Sequence, residues 1–274
     1  MVSPQPPESR LRAWLTKSKV LAMSVAAVVV GALAAANQAF DLWDKADARF
    51  ADPPAQDGPL LYDASWPLNR GCDGATNVAV SAEEGGPETF AAWPDREQLA
   101  KEPGSGAWVT GSLTVDLVGV DEHPVQISAI DYQVLSDDLA SPAWVYEPHG
   151  GCGETYSRLF VLDLDGETLE DQGVVGSPLP EGTAPPEAAI GPAFTVTDLE
   201  PAQITVSVLG CEANYEWELI VSYFYEGESG EVRLGPYRTF GAADADTPVY
   251  TDDTEADGLV ATGWPADSTG RCAF

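Results

Sequence analysis

Five stretches between residues 113 and 225 alternate apolar and polar side chains with a period of two, and this limits the body of the chain to β-structure. Leu113, Val115 and Leu117 alternate with Thr114 and Asp116; Ile130, Tyr132 and Val134 with Asp131 and Gln133; Phe160, Leu162 and Leu164 with Asp163 and Asp165; Ile204, Val206 and Val208 with Thr205 and Ser207. Successive side chains of a strand point to opposite faces of its sheet, so each stretch predicts a strand with one face on a core and one in water. The longest, Tyr215, Trp217, Leu219, Val221 and Tyr223, turns apolar on both faces at its end. It is expected at the centre of a sheet, with Trp217 in the core. The run to Tyr225, then Glu226 to Gly230, then Glu231 to Leu234 predicts a hairpin with a short glycine-bearing loop. After residue 50 no helical stripe lasts three turns, although Pro94 to Lys101 has room for one or two. The expected class is mainly β: an antiparallel β-sandwich of immunoglobulin-like or fibronectin-like architecture, with an all-β barrel as the alternative.

Ahead of this body runs VLAMSVAAVVVGALAAA, Val20 to Ala36, 17 residues without a charge, reaching 21 at Phe40 if Asn37 and Gln38 are admitted. At about 1.5 Å per residue a helix of that length crosses one hydrocarbon core of roughly 30 Å. Arg10, Arg12, Lys17 and Lys19 precede it with only Glu8 against them, which orients the N-terminus to the cytoplasm and the body to the outside. Phe40 and Trp43 stand where ring side chains favour the headgroup layer. Ala32-Leu33-Ala34 and Ala34-Ala35-Ala36 also offer the small-x-small pattern of a cleavable signal, which would release a secreted protein. The long head and the stripe Ala39, Trp43, Ala46, Phe50 favour the anchor. The expected order is a cytoplasmic tail over 1–19, a transmembrane signal anchor over 20–40, a juxtamembrane helix and proline-rich stalk over 41–69, the extracytoplasmic β-sandwich over 70–241 and an acidic C-terminal tail over 242–274.

Residues 41–274 hold 9 basic against 43 acidic side chains. Such a surface excludes nucleic acid as a partner and leaves cations, cationic proteins or neutral ligands. The four cysteines, Cys72, Cys152, Cys211 and Cys272, all follow the apolar segment, at spacings of 80, 59 and 61 residues without a CxxC. An even count in an oxidising compartment predicts two disulfides. Three pairings are open. Cys152 with Cys211 joins loop to loop and Cys72 with Cys272 joins start to end, and this is the preferred arrangement.

No motif assigns a catalytic, cofactor or metal residue. The histidines His123 and His149 each neighbour a proline in expected loops, so a Ser-His-Asp arrangement must use one of them. Gly227-Glu228-Ser229-Gly230 is a hairpin turn and not a nucleophile elbow. Glu147, His149, Cys152 and Glu154 are near enough in sequence for a metal corner, but an oxidised Cys152 could not ligate. Asp163-Leu164-Asp165-Gly166-Glu167 has the acidic character of a calcium loop with glycine at the wrong position, and reads better as a strand ending in an acidic turn. The loop Gly173 to Pro192 is long for a compact domain and reads as a mobile connection, with a functional, partner-binding lobe as the alternative.

The order of features, a basic head and one membrane helix, then GCDGATNVAV, SLTVDLVG, ISAIDYQVL, GGCGETYSRLFVLDLD and FTVTDLEPAQITVSVLGCEANYEWELIVSYF, resembles a group of actinobacterial single-pass membrane proteins with an extracytoplasmic β-rich domain of unknown function. The resemblance covers roughly residues 17 to 240 and implies a fold and a location without supplying a catalytic residue. Some of those proteins carry a cytoplasmic DNA-binding head in place of the short tail expected here, and the late Cys272 is a further departure from their pattern. The expected function is a membrane-anchored extracytoplasmic binding or interaction module, with a protein partner in the cell envelope and no cofactor. An envelope hydrolase with a carboxylate-based site is the alternative.

Overall fold

The computed structural model describes residues 58–66, 76–90, 92, 98–99, 101–148, 157–175, 190, 194–241, 246–253 and 258–265, all within the compact unit Ala46–Phe274. Among the described residues fourteen strands follow one another: β1 (Leu60–Ser65), β2 (Val78–Val80), β3 (Ser105–Trp108), β4 (Thr110–Gly119), β5 (Val125–Ser136), β6 (Trp144–Glu147), β7 (Ser157–Asp163), β8 (Thr168–Val175), β9 (Thr195–Val196), β10 (Ala202–Leu209), β11 (Asn214–Tyr225), β12 (Glu228–Phe240), β13 (Pro248–Asp252) and β14 (Leu259–Pro265). The protein is mainly β, as the alternation predicts. Between β2 and β3 lie two 3-10 turns, Ala82–Glu84 and Pro87–Phe90, and helical residues Gln98 and Leu99 within the expected short helix.

The strands form two sheets. One runs β1-β4-β10-β7-β8 and the other β9-β5-β11-β12-β3-β2-β6-β13-β14, joined by the single pair Trp108 and Thr110. The corner between them is Val109, with φ 63°, an unfavourable conformation for a β-branched residue. Two main-chain bonds hold it there: its N–H donates to Phe240 O at 2.9 Å, and its carbonyl accepts from Gly210 N at 2.9 Å.

One face of each sheet turns inward and the period-two residues fill it. Leu113, Val115 and Leu117 of β4, Phe160 and Leu162 of β7, and Ile204, Val206 and Val208 of β10 share a buried cluster with Trp217, Leu219 and Val221 of β11. β11 lies between β5 and β12, and Trp217 is fully buried, its indole N–H donating to Thr239 Oγ1 at 3.0 Å. A buried indole with its donor satisfied contributes area without an unpaired polar group.

Five expectations need correction. The stalk does not run to residue 69: Leu60 to Ser65 pairs with β4 along its whole length, from Leu60 against Gly119 to Ser65 against Thr114, and Trp66 is buried beyond it. Residues 242–274 are not simply a tail, because β13 and β14 form a hairpin whose β13 pairs with β6 and buries Val249. The pairing is not wholly antiparallel: β10 with β7, β12 with β3 and β13 with β6 are parallel, each joining strands distant in sequence. The hairpin loop is two residues and not five, since Tyr225 pairs with Glu228 and both Glu226 (φ 50°) and Gly227 (φ 90°) are left-handed, the conformation of a tight turn matched to strand twist. Asp116 is not on a wet face. It is 2% exposed, opposite Asp63 of β1 and accepting from Gln203 Nε2 of β10 at 2.8 Å, because β4 is flanked by strands on both sides.

Candidate functional site

The Leu60, Tyr62, Ala64, Trp66 parity of β1 faces the same side as Leu117 and Val115 of β4, so β1 adds its apolar side chains to the interior at the rim of the first sheet. Across the gap stands β12 of the second sheet. Tyr62 O–H donates to the carbonyl of Arg233 at 3.4 Å, tying the two strands together. Below this tie the gap opens as a cavity of about 540 Å³, within the size range of small-molecule sites. Its walls come from the β1 run, from the turn Lys101 to Ser105, from Leu113, and from Gly235, Pro236 and Tyr237 after a cis peptide.

Two of the lining rings, Trp66 and Tyr237, belong to an aromatic group that continues into the core. Trp66 meets Trp217 edge-on at 6.4 Å between centroids and Tyr237 edge-on at 6.2 Å, and Trp217 lies 5.1 Å from Tyr237. Burial raises the pKa of the Tyr237 hydroxyl, and the nearby Asp63 carboxylate pushes it the same way. Three charged side chains line the cavity, Asp63, Glu102 and Lys101. Glu102 accepts from Gln98 Nε2 at 3.2 Å, and Lys101 is exposed. Ser105 is 5% exposed, yet its Oγ has no hydrogen-bond partner among the described residues.

The residues singled out from sequence lie elsewhere. His123 is exposed, 3.3 Å from Asp121 Oδ1, and its main-chain N–H donates to the same oxygen at 2.9 Å. That backbone bond, with Tyr225 O–H donating at 2.9 Å, holds the Asp121 carboxyl below its ordinary range. No serine hydroxyl bonds to His123 among the described residues, so this group is a loop clasp. Glu147 ends β6, while His149, Cys152 and Glu154 of the metal corner lie outside the described residues. Among the described residues no group of three His, Cys, Asp or Glu side chains is placed to hold a metal. Asp163 and Asp165 stand at the β7–β8 turn: Asp163 Oδ1 accepts from Gly166 N at 2.9 Å, and Asp165 accepts from Cys211 N at 2.7 Å, Glu212 N at 3.0 Å and Tyr215 O–H at 2.7 Å. Both oxygens of Asp165 are thus taken by donors, as a strand-end turn would use them. Of the Gly173 to Pro192 loop, the start belongs to β8, and residues 176–189 and 191–193 lie outside the described set. Cys211 is disulfide-bonded; Cys72, Cys152 and Cys272, like the expected membrane segment Val20 to Phe40, lie outside it. No helix among the described residues is long and apolar enough to cross a membrane.

A second buried charge stands inside the first sheet. Arg158, 5% exposed, pairs through its guanidinium with Asp171 of β8 and lies 5.7 Å from the Phe194 ring, with Nη1 unpartnered among the described residues.

Sequence reading missed Tyr62, Trp66, Ser105 and Tyr237. The signal for the first two was present: Leu60, Tyr62, Ala64 and Trp66 alternate as the other strands do, but they sit among Pro53, Pro54, Pro59 and Pro67, which read as a stalk. No family model, curated protein or solved structure matches the chain.

Proposed function

We propose that the chain is a membrane-anchored binding module of the cell envelope, its head cytoplasmic, its β-domain outside, and its ligand held at the cavity between β1 and β12. The cavity carries the reading: aromatic residues and a few charged side chains line one opening between β1 and β12, the composition of a recognition site.

The fold proposed with it is an immunoglobulin-like or fibronectin-like sandwich. Its support is the pairing pattern, β1-β4-β10 in one sheet and β5-β11-β12 in the other, which matches the A-B-E and C-F-G sets of that architecture. Tyr215 opens β11, the strand at the F position, near where such sandwiches carry a corner tyrosine, although its hydroxyl donates to the Asp165 carboxylate and not to nearby main chain. The kinship with the actinobacterial single-pass proteins rests on the sequence order of head, apolar run and cysteine-bearing strands. A disulfide at Cys211 fits an oxidising compartment. We pair Cys152 with Cys211 and Cys72 with Cys272.

Two measurements test the reading. Protease added to spheroplasts should degrade the β-domain and spare the head; the reverse pattern overturns the orientation. Crosslinking of the intact chain in its envelope should capture a partner that Tyr62→Ala loses while the thermal transition stays cooperative. Turnover of an envelope polymer by the purified chain, abolished by one carboxylate substitution, would replace binding with hydrolysis.

A further inference from the structure

We propose that the outer edge of β5 takes an extended basic peptide of a partner protein by strand addition. This surface shares no residue with the β1–β12 cavity, so the inference goes beyond the binding reading above and is tested apart from it. Ala129 to Val134 pair residue for residue with Ser222 to Trp217 of β11, a run of ordinary strand length. On the other side of β5, β9 covers only Val125 and Gln126, and the last bond there runs from Ile127 N–H to Phe194 O at 2.9 Å. Beyond Ile127 that edge has no strand partner among the described residues. Unpaired main-chain donors and acceptors along a regular edge are the groups an extended peptide bonds. The other sheet edges suit it less: β1 belongs to the cavity, and β8 and β14 are each interrupted by a left-handed glycine, Gly173 at φ 75° and Gly263 at φ 70°. No residue of β5 has a positive φ.

The carboxylates that flank this edge set the charge of its occupant. Ile130, Tyr132 and Val134 lie half-buried against the core, which puts Asp131 and Gln133 on the outer face. Asp131 Oδ1 accepts from Tyr132 N–H at 2.8 Å, so a strand that claims this N–H must draw the carboxylate away. A lysine or arginine beside it does so, because the charged pair replaces the lost bond. On the inner face, burial and then the carboxylates of Glu167, Asp131 and Asp163 raise the pKa of Tyr132, so the β7–β8 turn adds negative charge to the same place. Arg233 of β12 is taken by Gln133 and Glu218, and neither Asp131 nor Glu167 has an ion pair among the described residues. A second copy of the chain would bring carboxylate against carboxylate, on a domain with 9 basic against 43 acidic residues after residue 40. A basic strand meets the opposite charge, and its apolar residues cover the half-exposed rims of Ile130 and Val134.

The experiment titrates the full chain in detergent micelles with the capped peptide Thr-Lys-Val-Arg-Val-Lys-Thr. Versions with serine or glutamate in place of the basic residues, and a basic version N-methylated at its three central residues, run in parallel. The basic peptide should bind at least about fivefold more tightly than the serine one, the worth of two exposed ion pairs, and added salt should weaken it. Amide hydrogen exchange should slow within Ala129 to Val134 on binding. The N-methylated peptide, which cannot donate to the edge, should not bind. Asp131→Asn and Glu167→Gln should each narrow the preference for the basic over the serine peptide, whereas Glu231→Gln, exposed on β12, should leave it unchanged. Equal binding of the serine or glutamate peptide, binding that survives N-methylation, or a preference untouched by both Asp131→Asn and Glu167→Gln each overturns the proposal. So does slowed exchange outside β5 alone, or no binding of the basic peptide at millimolar concentration. If the Ala129 to Val134 amides exchange as slowly before the peptide as after it, the edge is already filled and the proposal falls. The cavity reading is decided separately, by the capture assay with Tyr62→Ala.

Discussion

Replacing Asp165 by alanine tests whether the acidic turn after β7 is a structural clasp or a latent cation site. Its carboxylate bonds three donors, the main-chain N–H groups of Cys211 and Glu212 on the β10–β11 connection and the hydroxyl of Tyr215 at the start of β11. Glu212 is exposed, so its N–H returns to water at little cost. Tyr215 is only 8% exposed and Cys211 half-buried, so their donors would be stranded. At about 1–2 kcal/mol for each, Asp165→Ala should destabilise the domain by about 2–4 kcal/mol in urea unfolding. Tyr215→Phe should cost about 1 kcal/mol, and the double variant less than the sum, because both substitutions remove the same bond. Burial, then the bond to Asp165, raises the pKa of Tyr215, so Asp165→Asn should bring the phenol back toward its ordinary value in a tyrosinate absorbance titration. A loss below about 0.5 kcal/mol for Asp165→Ala would refute the clasp. Calcium stabilisation of the parent chain that vanishes in Asp165→Ala would restore the cation reading.

Three further outcomes are expected. Asp171→Ala leaves Arg158 buried without its counter-charge and should cost about 3 kcal/mol in chemical unfolding, whereas Asp171→Asn, which keeps an acceptor, should cost less. Glu226→Asn should stabilise the domain by about 0.5–1 kcal/mol in thermal melts, because asparagine tolerates the left-handed φ that precedes Gly227 better than glutamate does. The raised hydroxyls of Tyr215 and Tyr237 give a contribution to stability that is fully present below the unfolded tyrosine pKa of about 10 and is lost as pH rises toward their folded values. Unfolding followed against pH should therefore steepen above pH ~10, and less so in Tyr237→Phe.

What was legible in the sequence was whatever repeats with period two. Leu113 to Leu117, Ile204 to Val208 and Tyr215 to Tyr223 all became strands with the named residues on the inner face, since a one-residue slip would expose an entire apolar set. The β1 strand was hidden by composition: prolines on both sides of Leu60 to Trp66 suggested a stalk, although a proline just outside a strand removes no ladder bond. β13 was hidden in the same way by the acidic residues around Val249. Pairings such as β4 with β10, roughly 90 residues apart, leave no local trace. Nor does the cavity, whose wall draws on β1, the 101–105 turn and β12, because residues so distant in sequence become neighbours only when two sheets face each other.

Trp66 links the cavity to the stability of the fold. The same ring lines the cavity and packs edge-on against Trp217 and Tyr237, so an occupant would press on a group that also seals the core. Because a ligand that binds only the folded state stabilises it by RT ln(1 + [L]/Kd), occupancy should be read as a rise in thermal transition even where the ligand is weak. At a ligand concentration a hundred times Kd the gain is about 2.7 kcal/mol. That approaches the expected loss from Asp165→Ala, so a destabilised Asp165→Ala chain would be the more sensitive reporter. Trp66→Ala is the wrong probe of the site, since it removes core and cavity wall together. Tyr62→Ala is the milder probe: Tyr62 is half-buried at the rim, and its loss removes the Arg233 carbonyl contact and part of the packing but not the buried ring of Trp66.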